Sequence, residues 1–160
     1  MPIIKKIIEL ISKFFTKDIV ITEPKSYGKI SISDTRQVLM QVCNSQNIFL
    51  SDNSFSLTTM DEAKKFSEET KIAYKKWTSE DHDCDNFSYA LQGYWSQGLV
   101  SFAYGIAWSK NDSGSWIHAF NIMIDNNKQV WIIEPQQNKY MTIEESKSND
   151  MYKNIGLVIV

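Results

Sequence analysis

Three residues have the types and the order along the chain that thiol chemistry needs. Cys84 comes first, His118 lies within a later strand-like run, and Glu134 ends the next such run. A cysteine attacks a carbonyl carbon as the thiolate, and an imidazole held by a carboxylate can take the proton from the thiol. A nucleophile, a base and an orienting group in this order indicate a thiol hydrolase.

The sequence after Cys84 predicts a helix that carries the thiol in its first turn. Asp83 has a side chain suited to the N-cap position. The N-terminus of a helix presents backbone N–H groups without partners, and these favour an anion such as a thiolate. The apolar residues that recur at helical spacing are Phe87, Ala90, Leu91 and Tyr94.

Two predicted strands, residues 116–124 and 130–134, must bring the histidine and the glutamate together. Side chains alternate between the two faces of a sheet, so His118 shares a face with Phe120. A shift of one residue in the pairing of two strands turns every side chain of one strand to the opposite face. The loop between the strands therefore decides whether Glu134 can reach His118.

A two-residue loop at positions 126–127 would point Glu134 away from His118. A three-residue loop at positions 125–127 would instead place Glu134 directly opposite His118. Asn127 would then take the left-handed conformation that ends such a loop. We therefore predict the three-residue loop, or an equivalent bulge.

Each residue also has a purely structural interpretation. A single histidine in an apolar strand is more often a hydrogen-bonded core residue than a catalyst. Glu134 stands before Pro135 and could simply end a strand with a solvated carboxylate. The ordered combination of the three residues, with the thiol on a helix, favours a working site.

Composition limits the class of protein. The chain has 160 residues, 42% of them hydrophobic and 22% charged, which is typical of one globular domain. A net charge of −2 and the lack of a basic stripe argue against a nucleic-acid partner. Cys43 and Cys84 are too few for a disulfide framework, so we expect a reducing, cytoplasmic location. No apolar run is long enough to span a membrane, and no signal peptide is recognisable.

Residues 3–15 predict an amphipathic helix with an isoleucine-rich face and a cationic face. Such a helix can pack on the body of the domain or lie on an anionic membrane surface. Packing is favoured because core-facing helices are the commoner class. Residues 23–28 form a connector, so the predicted division is an N-terminal segment 1–22 and a main domain 23–160.

Helices are predicted before strands. A helix capped at positions 33–34 carries Cys43 into the core, and a second helix opens at Thr59 or Asp61 and runs towards Trp77. The predicted fold class is α+β, with N-terminal helices that include the nucleophile helix packed on an antiparallel sheet. The predicted strands are 99–109, 116–124, 130–134 and 156–160.

Three short motifs carry a resemblance to a known family. Residues 83–87 (DCDNF), 118–121 (HAFN) and 131–136 (WIIEPQ) together resemble the papain-like C-terminal domain of the fairy-ring mushroom agglutinin and its lectin-related relatives. The resemblance spans roughly residues 27–140. It implies a papain-like cysteine protease that depends on calcium or a similar ion, with Cys84 as nucleophile, His118 as base and Glu134 as orienting group.

Two features depart from that family. The agglutinin's sugar-binding trefoil has no room in this chain, so the resemblance predicts no carbohydrate binding. Papain-like enzymes place a glutamine shortly before the nucleophile to bind the oxyanion, whereas residues 71–83 contain neither Gln nor Asn. The partner of the Cys84 N–H must then come from elsewhere, such as His82 or a backbone group.

Three carboxylates surround the nucleophile, at Asp81, Asp83 and Asp85. Oxygen ligands of this kind suit Ca²⁺, with Asp85 as the first choice of ligand. A bound cation would also remove the opposition of these charges to a thiolate. Alternatively, the acids only cap the helix and complement its dipole. Zinc is disfavoured because a structural zinc site needs four N or S ligands and the chain has two histidines and two cysteines.

The leading hypothesis is a thiol hydrolase, a peptidase or amidase, that acts on a peptide or protein through an acyl-enzyme. The same residues permit acyl transfer to an amine, or deamidation. A different class is a binding or inhibitor protein that keeps the papain-like frame with little or no catalysis. The missing glutamine and the acidic setting of Cys84 favour that alternative. The sequence does not indicate an oligomeric state.

Overall fold

The structure is a computed structural model that describes residues 21–43, 45–79 and 81–160. The predicted helix 3–15 and most of the predicted segment 1–22 lie outside the described residues. No helix among those residues is long and apolar enough to cross a membrane.

The α-helices are α1 (Ile32–Leu39), α2 (Met60–Thr70), α3 (Cys84–Trp95) and α4 (Ile143–Ser146). The strands are β1 (Gly28–Ser31), β2 (Ile48–Phe49), β3 (Ser54–Leu57), β4 (Tyr104–Lys110), β5 (Trp116–Ile124), β6 (Val130–Glu134), β7 (Lys139–Thr142) and β8 (Ile155–Ile159).

Six strands form one sheet in the order β2-β8-β4-β5-β6-β7, and β1 pairs with β3 in a separate two-stranded ribbon. Every pair in the large sheet is antiparallel except β2 with β8, which is parallel. The last strand, β8, is therefore an interior strand between β2 and β4.

Both faces of the sheet are covered by apolar side chains. Successive residues of β5 enter different cores, since Ile122 lies on the α1 side and Met123 on the α3 side. The α1-side core includes Leu39, Cys43, Phe55, Phe120, Ile122, Ile132 and Val158. The α3-side core includes Phe66, Phe87, Leu91, Trp95, Tyr104, Met123 and Ile133. The burial of Cys43 confirms its predicted packing role.

The predicted papain-like fold class, N-terminal helices packed on an antiparallel sheet, is wrong. Within the described residues eight strands stand against four α-helices, and the sheet is mixed. Two causes are local. Lys71 takes a left-handed conformation that ends α2 at Thr70, well before Trp77. Four-residue stretches of mixed polarity also form the strands β3 and β7, which have no long apolar pattern to reveal them.

The turn between β5 and β6 has three residues, as predicted, but it starts one position later. Asp125 pairs with Gln129, so the loop residues are 126–128. Lys128, with φ 61°, takes the left-handed conformation that was predicted for Asn127. The predicted placement of Glu134 directly opposite His118 is therefore wrong.

The Asp125 side chain accounts for the shifted turn. Its Oδ1 accepts hydrogen bonds from the backbone N–H groups of Asn127 and Gln129, at 2.8 and 2.9 Å. Its Oδ2 accepts the indole N–H of Trp131 at 3.0 Å. An aspartate that binds the backbone two residues ahead fixes a turn, so it makes Asp125 the last paired residue of the strand rather than the first loop residue.

The new register keeps the parity that the site needs. Asn121 pairs with Ile133, so the next positions outward bring Glu134 beside Phe120, two residues from His118. Residues two apart share a face, and diagonal cross-strand neighbours lie within reach of long side chains. Glu134 therefore approaches His118 diagonally.

Candidate active site

The helix α3 begins at Cys84, and Asp83 is its N-cap, as predicted. The backbone N–H of Asp83 donates to Asn86 Oδ1 at 3.1 Å. The Cys84 side chain is half-buried, so its sulfur lies in the first turn of the helix with partial access to solvent. This placement gives the sulfur the backbone N–H groups of a helix N-terminus.

Buried polar contacts tie α3 to the sheet. Asn121 Nδ2 donates to the carbonyl of Ser88 at 3.1 Å and to that of Gly105 at 3.2 Å. Phe87 and Leu91 pack into the α3-side core below it. The Asn121 amide thus links α3 to β4 and β5. This contact fixes the position of α3 along the sheet, and with it the position of Cys84 relative to His118.

His118 and Glu134 form a buried pair. Nε2 of His118 lies 2.6 Å from Oε2 of Glu134, and the two residues are 6% and 2% exposed. The same Oε2 accepts the hydroxyl of Tyr152 at 2.8 Å. The other carboxylate oxygen, Oε1, accepts the backbone N–H of Gln136 at 3.1 Å. Three donors therefore surround the carboxylate, as a buried charge requires.

Cys84 lies close enough to the His118 ring for its thiol and its negative charge to raise the pKa of the imidazole. Because Nε2 is held by Glu134, Nδ1 is the ring nitrogen left for the sulfur. Burial by itself lowers the pKa of His118, but the hydrogen bonds and negative charges of Cys84 and Glu134 outweigh it. The net effect raises the pKa from 6.5 to about 9. The histidine is therefore an imidazolium at neutral pH.

The three residues meet where the sheet opens. The pairing of β6 with β5 covers only residues 121–124 of β5, so the first half of that strand has no partner on the β6 side. His118 stands in this unpaired half, on the face that carries Phe120, whereas α3 packs on the other face.

The acidic residues around Cys84 do not gather as a cage. Asp85 hydrogen-bonds with Asp83, and this contact, burial and the like charge of Asp83 raise the pKa of Asp85 above its usual range. Within the described ranges, no three His, Cys, Asp or Glu side chains lie together as metal ligands do. Calcium needs six to eight oxygens, and the geometry joins only two of the three predicted ligands. Calcium binding at Asp81, Asp83 and Asp85 stays a prediction.

His82 was the predicted alternative donor to an oxyanion. Its ring packs on Phe87 with 4.6 Å between ring centroids, and its Nε2 is buried without a hydrogen-bond partner. The backbone of His82 pairs with Thr78 just before the helix. The role of His82 at an oxyanion stays a prediction.

Sequence reasoning missed the residues that hold Glu134. Tyr152 lies in a polar stretch before β8 with no periodic signal, and only the folded chain brings its hydroxyl to the carboxylate. Gln136 contributes through its backbone N–H, which any residue but proline supplies. Asn121 was visible in the quoted HAFN motif, but its anchoring of α3 required the packed helix.

No protein-family model matches the chain, and no curated protein matches it in sequence. Solved structures do share its fold. One, described as "PSL1a-E64 complex", has a TM-score of 0.68 and 19% sequence identity over 82% of this chain. Another, a Polyporus squamosus lectin bound to the human-type influenza-binding epitope Neu5Aca2-6Galb1-4GlcNAc, has a TM-score of 0.63 and 18% identity over 82% of this chain.

The chain spans about half the length of these solved chains, 51% and 49% respectively. At this low sequence identity the likeness concerns the fold alone. The chain therefore shares its fold with part of a mushroom lectin.

These comparisons also correct the family labels that the motifs suggested. The matching structure that is named in full is a lectin, which contradicts the papain-like fold class and the description of the chain as a hydrolase, cysteine protease or thiol protease. The label lectin-related agrees with the finding.

Proposed function

We propose that Cys84 is the nucleophile of a thiol hydrolase that acts on the carbonyl of an amide or peptide. The observation that carries the proposal is the His118 ring, whose Nε2 lies 2.6 Å from Glu134 Oε2 and whose pKa is raised by the nearby Cys84. A base between a nucleophile and an orienting carboxylate is the arrangement that acyl transfer through a covalent intermediate requires.

The chemistry follows from the charges. The imidazolium of His118 favours the thiolate of Cys84, which attacks the carbonyl carbon of the substrate. The oxyanion that forms can accept the backbone N–H of Cys84 at the start of α3. His118 then gives its proton to the leaving amine, and an acyl-enzyme remains on the sulfur. Water activated by neutral His118 releases the acid, whereas an amine in its place gives acyl transfer.

One of the comparisons agrees with a reactive thiol. That lectin structure is a complex with E64, and E64 is an epoxide that alkylates activated thiols. The complex with E64 concerns the matched protein, and it supports a reactive thiol in this chain only through the shared fold.

A mass-spectrometric assay tests the proposal without a known substrate. The full chain is treated with p-nitrophenyl acetate near neutral pH, and the mass of each cysteine peptide is followed with time. We expect a transient acetyl group on Cys84 that water removes, with Cys43, which is 6% exposed, as the internal control. Repeating the assay with CaCl₂ tests the predicted calcium dependence.

Variants separate reactivity from exposure. C84A should lose the acetyl adduct while keeping the fold, and H118Q should slow alkylation of Cys84 by iodoacetamide roughly tenfold or more. An H118Q protein that is alkylated as fast as the wild type would contradict the assignment, because the thiol would then owe nothing to the imidazole.

The names of the matching structures favour a second candidate, a binding protein with weak or no catalysis. One neighbour is described as bound to a sialylated trisaccharide, and Asp83 and Asp85 give Cys84 an acidic setting. Calorimetric titration of the C84A protein with that trisaccharide tests this candidate. If the trisaccharide binds and the thiol of the wild-type protein is unreactive, the binding protein becomes the better assignment and the thiol hydrolase is rejected.

A further inference from the structure

We propose that Tyr152 is a positioning residue of the site, which fixes Glu134 for His118 by donating its hydroxyl to the same carboxylate oxygen. The inference rests on the proposed function, and it extends the three-residue constellation to a fourth side chain from a separate part of the chain.

The contact geometry is specific. The hydroxyl of Tyr152 lies 2.8 Å from Glu134 Oε2, the atom that His118 Nε2 approaches at 2.6 Å. The Tyr152 ring also stands edge-on to the His118 ring, with 5.3 Å between centroids and 73° between planes. One side chain thus contacts both members of the pair.

The backbone around Tyr152 is held independently of Glu134. The N–H of Tyr152 donates to the carbonyl of Asn149 at 3.0 Å. The hydroxyl of Ser109 donates to the carbonyl of Met151 and lies 3.4 Å from the carbonyl of His118. The ring also packs edge-on against Phe120 at 5.3 Å. Tyr152 is 5% exposed, so these contacts leave it little freedom.

The shared oxygen makes Tyr152 more than a packing residue. Burial and the nearby charge of Glu134 keep the pKa of Tyr152 above its usual value, so the phenol stays protonated and donates. A donor on Oε2 disperses the carboxylate charge that His118 feels and holds the carboxylate in one rotamer. The groups that face His118 are Cys84 from α3, Glu134 from β6 and Tyr152.

The test removes the hydroxyl and leaves the ring. The titration of the His118 ring protons is followed by NMR in the wild type and in Y152F, and H118Q identifies the signal because the chain has only two histidines. We expect the pKa of His118 to rise by roughly 0.5 to 1 in Y152F, since the carboxylate then concentrates its charge on the imidazole. Alkylation of Cys84 at neutral pH should slow by roughly tenfold as Glu134 loses its fixed orientation.

Tyr140 supplies the matched control. It is a half-buried tyrosine whose hydroxyl donates to Asn138 at 2.8 Å, with no contact to Glu134 among the hydrogen bonds of the described residues. Y140F should leave both the titration and the alkylation rate unchanged. In the E134Q background, Y152F should add no further change, because both substitutions act through one carboxylate.

Two outcomes separate this inference from the proposed function. A Y152F protein that is folded by circular dichroism but titrates like the wild type would overturn the positioning role, even if Cys84 reacts rapidly. If Cys84 is unreactive but the titration of His118 changes in Y152F, the proposed enzyme activity is overturned and the positioning contact is retained.

Discussion

Glu134 is the residue on which the site converges. Its two oxygens accept from a side-chain imidazole, a phenol and a backbone N–H, which come from β5, from the segment before β8 and from the turn after β6. Each donor lowers the cost of burying the charge. These contacts hold the carboxylate beside His118, where its hydrogen bond and its charge raise the pKa of the imidazole.

The raised pKa of His118 predicts how stability depends on pH. A histidine whose pKa is about 9 when folded and about 6.5 when unfolded stabilises the fold fully below pH 6.5. That contribution, up to roughly 3 kcal/mol, is lost as the pH rises from 6.5 through 9. Urea unfolding of the wild type at several pH values should show this decline.

The two histidines permit a matched comparison. H118Q should flatten the decline between pH 6.5 and 9, whereas H82Q should retain it. A wild-type free energy of unfolding that rises over this interval would contradict the ion pair at His118.

Strongly patterned elements were predictable at the scale of helices and strands. The bounds of β5 and β6 match the prediction because long runs of apolar side chains mark them. The predicted strand 99–109 begins later, at Tyr104. Strands β3 and β7 were missed because each has only four residues, of mixed polarity, and such short strands depend on their partners rather than on pattern. The start of α3 was predicted correctly because the N-cap residue and the spacing of the apolar residues indicate the same helix.

The site was predictable in part. Side-chain chemistry pointed to Cys84, His118 and Glu134, and the structure pairs His118 with Glu134, with Cys84 close enough to raise the pKa of the imidazole. The turn begins one position later than predicted, and the pairing is therefore shifted by two residues, because the side chain of Asp125, rather than the left-handed tolerance of asparagine, decides where the turn begins. Tyr152 could not be found, because it reaches the site only through the pairing of β8 with β4.

The turn between β5 and β6 gives a prediction that distinguishes the observed loop from the expected one. K128G should stabilise the protein by about 0.5 kcal/mol, because glycine removes the cost of the left-handed conformation and part of the gain is lost to backbone entropy. N127G should destabilise it by a similar amount. Thermal unfolding of both variants measures the difference, and the opposite order would restore the predicted loop 125–127.

The whole molecule is a sheet covered on both faces, in which two strands approach unusually closely. A Cβ atom on Gly105 of β4 would lie 2.0 Å from the backbone carbonyl oxygen of Ile159 in β8. Backbone cannot yield as a flexible side chain can, so only glycine fits there. In this chain, the fold shared with part of a mushroom lectin therefore requires glycine at position 105.

This close approach gives a prediction for the assembly of the sheet. G105A should destabilise the protein by roughly 3 kcal/mol or more, because β8 must move away from β4. A Cβ atom on Gly93 of α3 would meet no atom of the described residues within 4 Å beyond its own stretch of helix, so G93A should stabilise the protein by about 0.5–1 kcal/mol through helix propensity. Chemical denaturation of both variants checks the pair, and equal effects would contradict the packing of β8.

The interior position of β8 also governs when the protein can fold. Val158 of β8 pairs with both Ile48 of β2 and Ala107 of β4. A segment that comes late in the sequence therefore joins two segments that are synthesised well before it. Contacts between distant residues must pay the entropy of closing large loops before they stabilise anything. During synthesis on the ribosome, the edge of β4 that pairs with β8 consequently stays unpaired until β8 emerges, and an unpaired strand edge is a site at which chains can aggregate.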